Sequence, residues 1–176
     1  MKSVFKSLAA YPELIAIQSA WQTIRDEAIA TLPHAIAIRD ARVRPQMWQV
    51  LPLMPEPEDR AIIGESIIQH SRQLAPNTIQ QVERIPNLRA CAFSTLKPGG
   101  HIRLHRHENP RVTATLCLQT GGQSYIQVDR QRQDFQEGEF VIFDYRLLHE
   151  VFNQGQKDRI VLLILLDIKS SSLKKW

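Results

Sequence analysis

The chain has 176 residues, of which 43% are hydrophobic and 23% are charged, and its formal net charge is +4. This composition is that of a globular protein with one sizeable core, and it excludes a repetitive or disordered chain. Its most apolar run, residues 160–168, is far shorter than the ~20 residues that span a bilayer, and the N-terminus lacks the apolar stretch of a signal peptide. We therefore expect a single domain over residues 1–176, cytoplasmic and without a membrane partner.

The positions of the cysteines and arginines indicate the redox compartment and the kinds of partner to expect. Cys91 and Cys117 both stand among apolar residues, as free thiols in a protein core do, which fits a reducing compartment. Arg39, Arg42 and Arg44 form the densest internal basic cluster, but no nucleic-acid-binding motif or aromatic stacking pattern accompanies them. We interpret the cluster as a solvated basic face, with an anionic substrate or cosubstrate as the alternative, and expect no nucleic-acid partner.

The first half of the chain is predicted to be mainly helical, over residues 1–87. Apolar residues recur there at helical spacing, and Pro33 ends the first helix. A Pro-rich loop, MPEPED, follows a strand-like segment, and Asn77 is the predicted N-cap of the last helix. The predicted elements are a helix over 11–32, a strand over 46–53 and helices over 61–74 and 78–85.

From Leu88 onward, short runs of β-branched and aromatic residues alternate with turns such as KPGG and QTGG, the spacing of a sandwich or barrel. Helices followed by strands predict an α+β fold. In it, residues 88–168 form a jelly roll, or double-stranded β-helix, and the helices pack on one outer face. The seven predicted strands cover residues 88–96, 101–105, 111–118, 123–129, 139–144, 149–153 and 159–168.

Four of the six histidines fall in this β region, at positions 101, 105, 107 and 149. Because side chains alternate along a strand, the first three are predicted to share one face. Imidazole suits iron, and an oxygenase iron needs a few ligands on one side with open positions on the other. Spacing alone leaves the alternatives even, since His101 also fits a surface residue and His149 a satisfied core side chain.

Three longer segments resemble one family. They are YPELIAIQSAWQTIRDEAIA, FSTLKPGGHIRLHRH and EGEFVIFDYRLLHEVFNQGQKDRIVLLILLD, and their order and spacing are similar to those of the aspartyl/asparaginyl β-hydroxylases. Members of that family are non-haem oxygenases that depend on Fe(II) and 2-oxoglutarate. The resemblance implies a cupin-like double-stranded β-helix and a dioxygenase that hydroxylates an unactivated C–H bond, with Fe(II) and 2-oxoglutarate as cofactors.

The resemblance also implies roles for individual residues. The two iron-binding histidines of the family match His105 and His149, and its basic anchor for the distal carboxylate of 2-oxoglutarate matches Arg159. A guanidinium can hold a carboxylate with two parallel hydrogen bonds. Ser94 matches a serine that holds the same carboxylate, and Trp48 matches a tryptophan of the pocket. An ordinary strand serine and a buried structural tryptophan are the alternatives for the last two.

The chain departs from the family at two places. Thr113 and Thr115 replace an Arg and a His of the pocket, and Arg111 is the candidate that compensates for them. The wider superfamily places an Asp two residues after the first histidine, whereas this chain has His107 there. The predicted iron site therefore has either two histidines and water or three histidines, and Glu108, on the opposite face, ranks below His107.

The expected substrate is an acidic or amino-acid-type small molecule or peptide. The basic residues that predict it are Arg103, Arg106, Arg111 and Arg146. The main alternative is a cupin-like metal-binding protein or a dioxygenase that does not use 2-oxoglutarate, because GGHIRLHRHEN and EGEFVIFDYRLLHEVFN also resemble the two cupin motifs. Arg159, Ser94 and the helical N-terminal match favour the hydroxylase. A non-catalytic binding module is a third interpretation.

Overall fold

The structure is a computed structural model that describes residues 3–168, so both ends of the domain predicted over 1–176 lie outside the described residues. Short 3-10 turns precede the first helix and follow the second. The helices are α1 (Ile15–Ser19), α2 (Trp21–Ala30), α3 (Pro57–Ile63), α4 (Glu65–Leu74) and α5 (Pro76–Val82). The strands are β1 (Ile36–Ala37), β2 (Trp48–Met54), β3 (Leu88–Leu96), β4 (Gly100–His105), β5 (Arg111–Gln119), β6 (Ser124–Val128), β7 (Gln131–Asp134), β8 (Phe140–Asp144), β9 (His149–Asn153) and β10 (Arg159–Asp167).

Two antiparallel sheets face each other. The larger has the strand order β1-β2-β3-β10-β5-β8 and the smaller has the order β4-β9-β6-β7. Apolar side chains of α1, α2 and α5 pack on the outer face of the larger sheet. The predicted α+β jelly roll with helices on one face is confirmed, although β1 and β2 come from the part of the chain that was predicted to be mainly helical.

Side-chain alternation along β5 shows how the layers are held together. Ala114 and Leu116 belong to the core between the larger sheet and the helices, while Cys117 belongs to the core between the two sheets. All residues from Arg111 to Leu118 are buried because both faces of the strand are covered. Positions 113 and 115 share the inner face with Cys117, so this alternation aims them between the sheets.

The helical region is divided more finely than predicted. Pro57, in the predicted loop, begins α3, because proline suits the first helical turn and two acidic residues follow it. Gly64 has a φ of 90° and separates α3 from α4 within the predicted 61–74 helix. Asn77 was wrongly predicted to be an N-cap. Pro76 starts α5 one residue earlier, and the side chain of Asn77 donates to Glu27 instead.

The strand predicted over 123–129 is the first half of a hairpin, and its partner, β7, was missed. The turn between β6 and β7 consists of Asp129 and Arg130, both with positive φ (42° and 68°). Such two-residue turns usually contain Asn-Gly or Asp-Gly. Asp-Arg carries only half of that signal, so the sequence pattern did not mark the turn.

No helix within residues 3–168 is both long enough and apolar enough to cross a membrane.

A carboxylate on α2 caps α5. The two carboxylate oxygens of Glu27 accept hydrogen bonds of 2.8 Å from the backbone amides of Asn77 and Thr78, and a 2.6 Å bond from the hydroxyl of Thr78. We expect Glu27→Ala to lower the free energy of unfolding by ~1–2 kcal/mol, the range for loss of a helix cap, measured by urea denaturation. Asp26→Ala is the matched control, since Asp26 is exposed and pairs only with Arg25. Equal effects of the two substitutions would contradict the capping role.

Candidate active site

The pairing of β4 with β9 brings two histidines together. His105 at the end of β4 lies directly opposite His149 at the start of β9, and their ring centroids are 4.2 Å apart. His107 follows β4, and its ring centroid lies 5.3 Å from that of His105 and 5.9 Å from that of His149. Each ring offers one nitrogen, and the three nitrogens lie within 4.8 Å of one another.

His101 does not join this cluster, so the prediction that it shares a face with His105 was wrong. Between Ile102 and His105 the chain advances three residues on β4 but only two on β9, which marks a β-bulge. The extra residue reverses the alternation, so His101 lies on the outer face. There its ring stacks on Phe152 and its Nε2 lies 2.9 Å from Glu150.

Backbone carbonyls fix the orientation of two of the rings. Nδ1 of His105 lies 2.8 Å from the carbonyl oxygen of Arg103, and Nδ1 of His149 lies 2.8 Å from that of Leu147. Because a carbonyl can only accept, Nδ1 carries the proton in a neutral ring and Nε2 keeps its lone pair. Metal-binding histidines are commonly held in this way, with one nitrogen bonded to the protein and the other free for the ion.

Burial keeps these rings neutral. Burial, together with the neighbouring His105 and His107, lowers the pKa of His149 to about 3. Burial likewise lowers the pKa of His107 to about 4 and that of His105 in the same direction. At neutral pH no proton therefore competes for the free nitrogens.

The cluster fits a transition-metal ion. Nitrogens on one side of an ion, each ~2.1 Å from it, are ~3 Å apart, and the three donors, which lie within 4.8 Å of one another, can reach that spacing by side-chain shifts of about 1–2 Å. Neutral imidazoles suit Fe, Zn, Cu and Ni alike. The cluster found within residues 3–168 holds three histidines and no carboxylate. The donor set is therefore compatible with iron but does not select it.

Arg159 lies between the sheets, and no carboxylate in the part of the chain that the structure describes pairs with it. The residue is 3% exposed, its Nε atom has no hydrogen-bond partner within residues 3–168, and burial lowers the pKa of the guanidinium to about 10. Its Cζ atom is 5.1 Å from the centre of the Phe135 ring. A group with this pKa is still charged at neutral pH, and a buried unpaired charge is unfavourable. The arrangement is therefore suited to receive an anion.

Ser94 and Trp48 lie on strands next to Arg159. Ser94 of β3 pairs with Val161 of β10, which lies two residues from Arg159. The side chains of Ser94 and Arg159 therefore lie on the same, inner face of the sheet. Nε1 of Trp48 donates a 2.9 Å hydrogen bond to Oγ of Ser94. Because this bond uses the serine as an acceptor, its hydroxyl proton is left to donate to an anion.

One cavity of about 130 Å³ joins these groups. The three histidines, Arg159, Ser94 and Trp48 all line it. Of the two threonines, Thr115 lines it and Thr113 does not. Arg111 also lies outside this cavity, where its guanidinium pairs with Glu56.

Two polar residues that line the cavity were missed as site residues. Arg42 faces it while holding Asp40 in an ion pair that lowers the pKa of this carboxyl to about 2. The basic cluster around Arg42 was noticed but interpreted as a solvated face. Tyr145 stacks on His107 at 3.7 Å between ring centroids, and only its place just before His149 could have drawn attention to it.

With this geometry established, the comparison with protein families becomes decisive. A model of the family described as aspartyl/asparaginyl beta-hydroxylase matches residues 18–169. The chain belongs to this family. The match covers α2 through β10 and therefore contains every residue of the cavity. The family assignment made from the sequence resemblance is confirmed.

Two relatives match the chain over different lengths. An ornithine lipid ester-linked acyl 2-hydroxylase of Rhizobium tropici is 34% identical over 93 residues, which cover 51% of this chain and 33% of that protein. The human aspartyl/asparaginyl beta-hydroxylase is 24% identical over 172 residues, covering 88% and 21%. The chain thus spans about a third and about a fifth of the lengths of these two relatives.

Among solved structures, a prolyl-4-hydroxylase of Pseudomonas putida has the same fold. It superposes with a TM-score of 0.58 and 18% identity, over 92% of this chain and 99% of that one.

The histidine cluster gives a direct prediction for metal binding. We expect His149→Ala to weaken Co(II) binding by more than the ~10–100-fold that loss of an outer partner costs, because it removes a nitrogen donor. His101→Ala should leave the affinity unchanged. Calorimetric titration measures both, and equal losses would contradict a site built on His149. The same titration of His107→Ala decides between a two-histidine and a three-histidine site.

Proposed function

We propose that this protein is an Fe(II)- and 2-oxoglutarate-dependent hydroxylase whose metal is held by His105 and His149, with His107 beside them. One observation carries the proposal. The cavity that holds three neutral imidazoles also contains a buried, positively charged guanidinium that pairs with no carboxylate among the described residues. A ligand that chelates a metal at one end and carries a carboxylate at the other can bind an ion held by the imidazoles and also pair with the guanidinium. 2-Oxoglutarate is such a molecule.

Bound Fe(II) would supply the activation of dioxygen, in which one oxygen atom enters succinate as 2-oxoglutarate loses CO₂ and the other becomes the hydroxyl group of the product. The protein's residues bind and orient. Arg159 and Ser94 would hold the distal carboxylate of 2-oxoglutarate, and Trp48 would keep the hydroxyl of Ser94 turned towards it. The apolar walls around the metal exclude water, which strengthens these charge-assisted bonds.

The contacts in the site limit the chemistry of the substrate less than that of the cosubstrate. The names of the two relatives refer to different groups, an ester-linked acyl chain in one and aspartyl or asparaginyl groups in the other. The sequence predicted an acidic substrate bound by arginines. Arg111, however, pairs with Glu56, and Arg146 with Asp144. An acidic substrate therefore stays a prediction that these contacts do not favour.

A cupin-like protein that does not use 2-oxoglutarate remains the second candidate. Its sequence support included Asn153, four residues after His149. Asn153 is fully buried and donates to the carbonyls of Leu96 and Lys157, so it holds two loops together and lies outside the cavity. A protein without 2-oxoglutarate would also leave the charge of Arg159 without a carboxylate. Both points favour the hydroxylase.

The carboxylate anchor is tested by Arg159→Ala. Truncating one partner of a buried charged pair costs ~2–5 kcal/mol of binding free energy, so we expect 2-oxoglutarate affinity to fall by that amount while Co(II) affinity stays close to wild type. Arg159→Lys should bind 2-oxoglutarate with an affinity between those of the wild type and Arg159→Ala, since lysine keeps the charge but lacks the planar guanidinium. Arg146→Ala, which removes an arginine that does not line the cavity, is the control. Unchanged 2-oxoglutarate affinity in Arg159→Ala would remove the anchor assignment.

Turnover separates the two candidate functions. With Fe(II), ascorbate and 2-oxoglutarate, we expect succinate to accumulate in the wild type and to accumulate faster when a true substrate is added. His149→Ala should form none, because the metal site is lost. Succinate is measured by chromatography, with His101→Ala as the variant that retains activity. Loss of a substrate without succinate formation would favour the cupin-like alternative.

A further inference from the structure

A second cavity, which we call the groove, adjoins the metal cavity. Its volume is about 280 Å³, and Tyr145 and Leu163 line both spaces. Leu163 on β10 lies opposite Thr115 on β5, which lines the metal cavity. Tyr145 and Leu163 therefore form a common wall between the groove and the metal cavity.

The strand pattern explains why the groove is apolar. Along β2, β3 and β10 the inner-facing positions change from polar near Arg159 to aliphatic further along the strands. The aliphatic side chains that line the groove include those of Val50, Pro52, Met54, Ala92, Leu163 and Leu165. Strand pairing places Ala90 opposite Leu165 and Ala92 opposite Leu163. The two small residues of β3 leave the space that bulkier side chains would fill, and they set the depth of the groove.

The cover and rim of the groove are apolar as well. Ile63 at the end of α3 and Ile38 after β1 both line it. Next to Ile63, Ile62 is 84% exposed, which leaves a large aliphatic side chain in solvent close to the groove. Scattered exposed aliphatic residues are ordinary, but one beside an apolar groove extends the surface that a ligand can cover.

The charges of the groove disfavour an acidic occupant. Glu56 and Asp59 are the charged residues that line it, and no basic residue within residues 3–168 does so. Glu56 is paired with Arg111, whereas Asp59 on α3 is exposed. A negatively charged substrate would therefore meet carboxylates and aliphatic side chains instead of a cation.

We infer that the groove binds an unbranched aliphatic chain of the substrate and leads one of its C–H bonds past Tyr145 and Leu163 to the metal cavity. The reaction at that bond rests on the proposed function, but binding of the chain does not. An acyl ester and an acyl thioester share this chemistry, so either can supply the chain. Each methylene that enters the groove leaves water, which gives the binding its dependence on chain length.

Tyr145 is the polar group at the junction. Its side chain lines both cavities and stacks on His107, and a phenol can donate a hydrogen bond. A carbonyl next to the target carbon is the acceptor that an acyl chain offers there. Tyr145 would then hold the carbonyl while the chain lies in the groove.

Binding of neutral acyl compounds of increasing length tests the inference without turnover. The probes are hexanoyl, octanoyl and decanoyl monoglycerides and the corresponding N-acetylcysteamine thioesters, used below their aggregation limits and titrated calorimetrically into the full chain. We expect affinity to rise by up to about fourfold per methylene, which corresponds to ~0.8 kcal/mol. A preference for esters over thioesters, or the reverse, identifies the source of the chain.

Ala92→Phe fills the groove and should abolish the length dependence, while Co(II) and 2-oxoglutarate affinities stay at wild-type values. Ala30→Phe is the matched control, because Ala30 is exposed on α2 and the helix packs on the other face of the larger sheet. If Ala92→Phe unfolds, Ala90→Leu fills less of the same space. Affinity independent of chain length in the wild type, or an undiminished dependence in the folded groove variants, overturns the inference. Chain binding without succinate formation would instead count against the proposed function alone.

Discussion

The antiparallel pairing of β4 with β9 is the contact on which the site depends. It places His105 opposite His149, and the bulge between Ile102 and His105 turns the first ring inwards. With regular alternation, His105 would share the outer face with His101 and would point away from His149. Because bonds from Nδ1 to backbone carbonyls then fix the rings, this backbone pairing determines the direction of the nitrogen lone pairs.

The second constraint is the charge of Arg159, which the larger sheet keeps between the layers. A buried guanidinium without a carboxylate is unfavourable in the free protein. The same burial makes the charge effective towards an incoming anion, since water screens it little. Ser94, which accepts a hydrogen bond from Trp48, keeps a hydroxyl proton that can be donated to an anion. The free protein thus carries an unsatisfied charge that an anionic ligand with one distal carboxylate relieves.

Much of the fold followed from the sequence because the strands after Leu88 are short, apolar and separated by turn residues. β3 and β9 have the predicted bounds. The hairpin of β6 and β7 and the start of α3 were missed, because Asp129-Arg130 is a weak turn signal and Pro57 was taken as a loop residue. The histidine pair was expected from family resemblance, but the bulge that excludes His101 depends on register between strands. Spacing along one strand carries no information about register.

The groove could not have been predicted at all, because it is made by small residues of β3 facing aliphatic residues of two other strands. The exclusion of Arg111 from the cavity depends likewise on Glu56, far away in sequence. Charge counting therefore suggested an acidic substrate, whereas Arg111 and Arg146 already pair with carboxylates. In the proposed function, the metal cavity would bind a small anionic cosubstrate and the groove would bind an apolar chain of the substrate.

The central claim is that one ion and one 2-oxoglutarate molecule meet between His105, His149 and Arg159. Anaerobic titration of the purified protein with Fe(II) and then 2-oxoglutarate, followed by visible absorption, tests it most directly. A metal-to-ligand absorption band that requires both components, and that is absent from His149→Ala, is the predicted result. Failure of the band to appear in folded wild-type protein that binds Fe(II) would contradict the account.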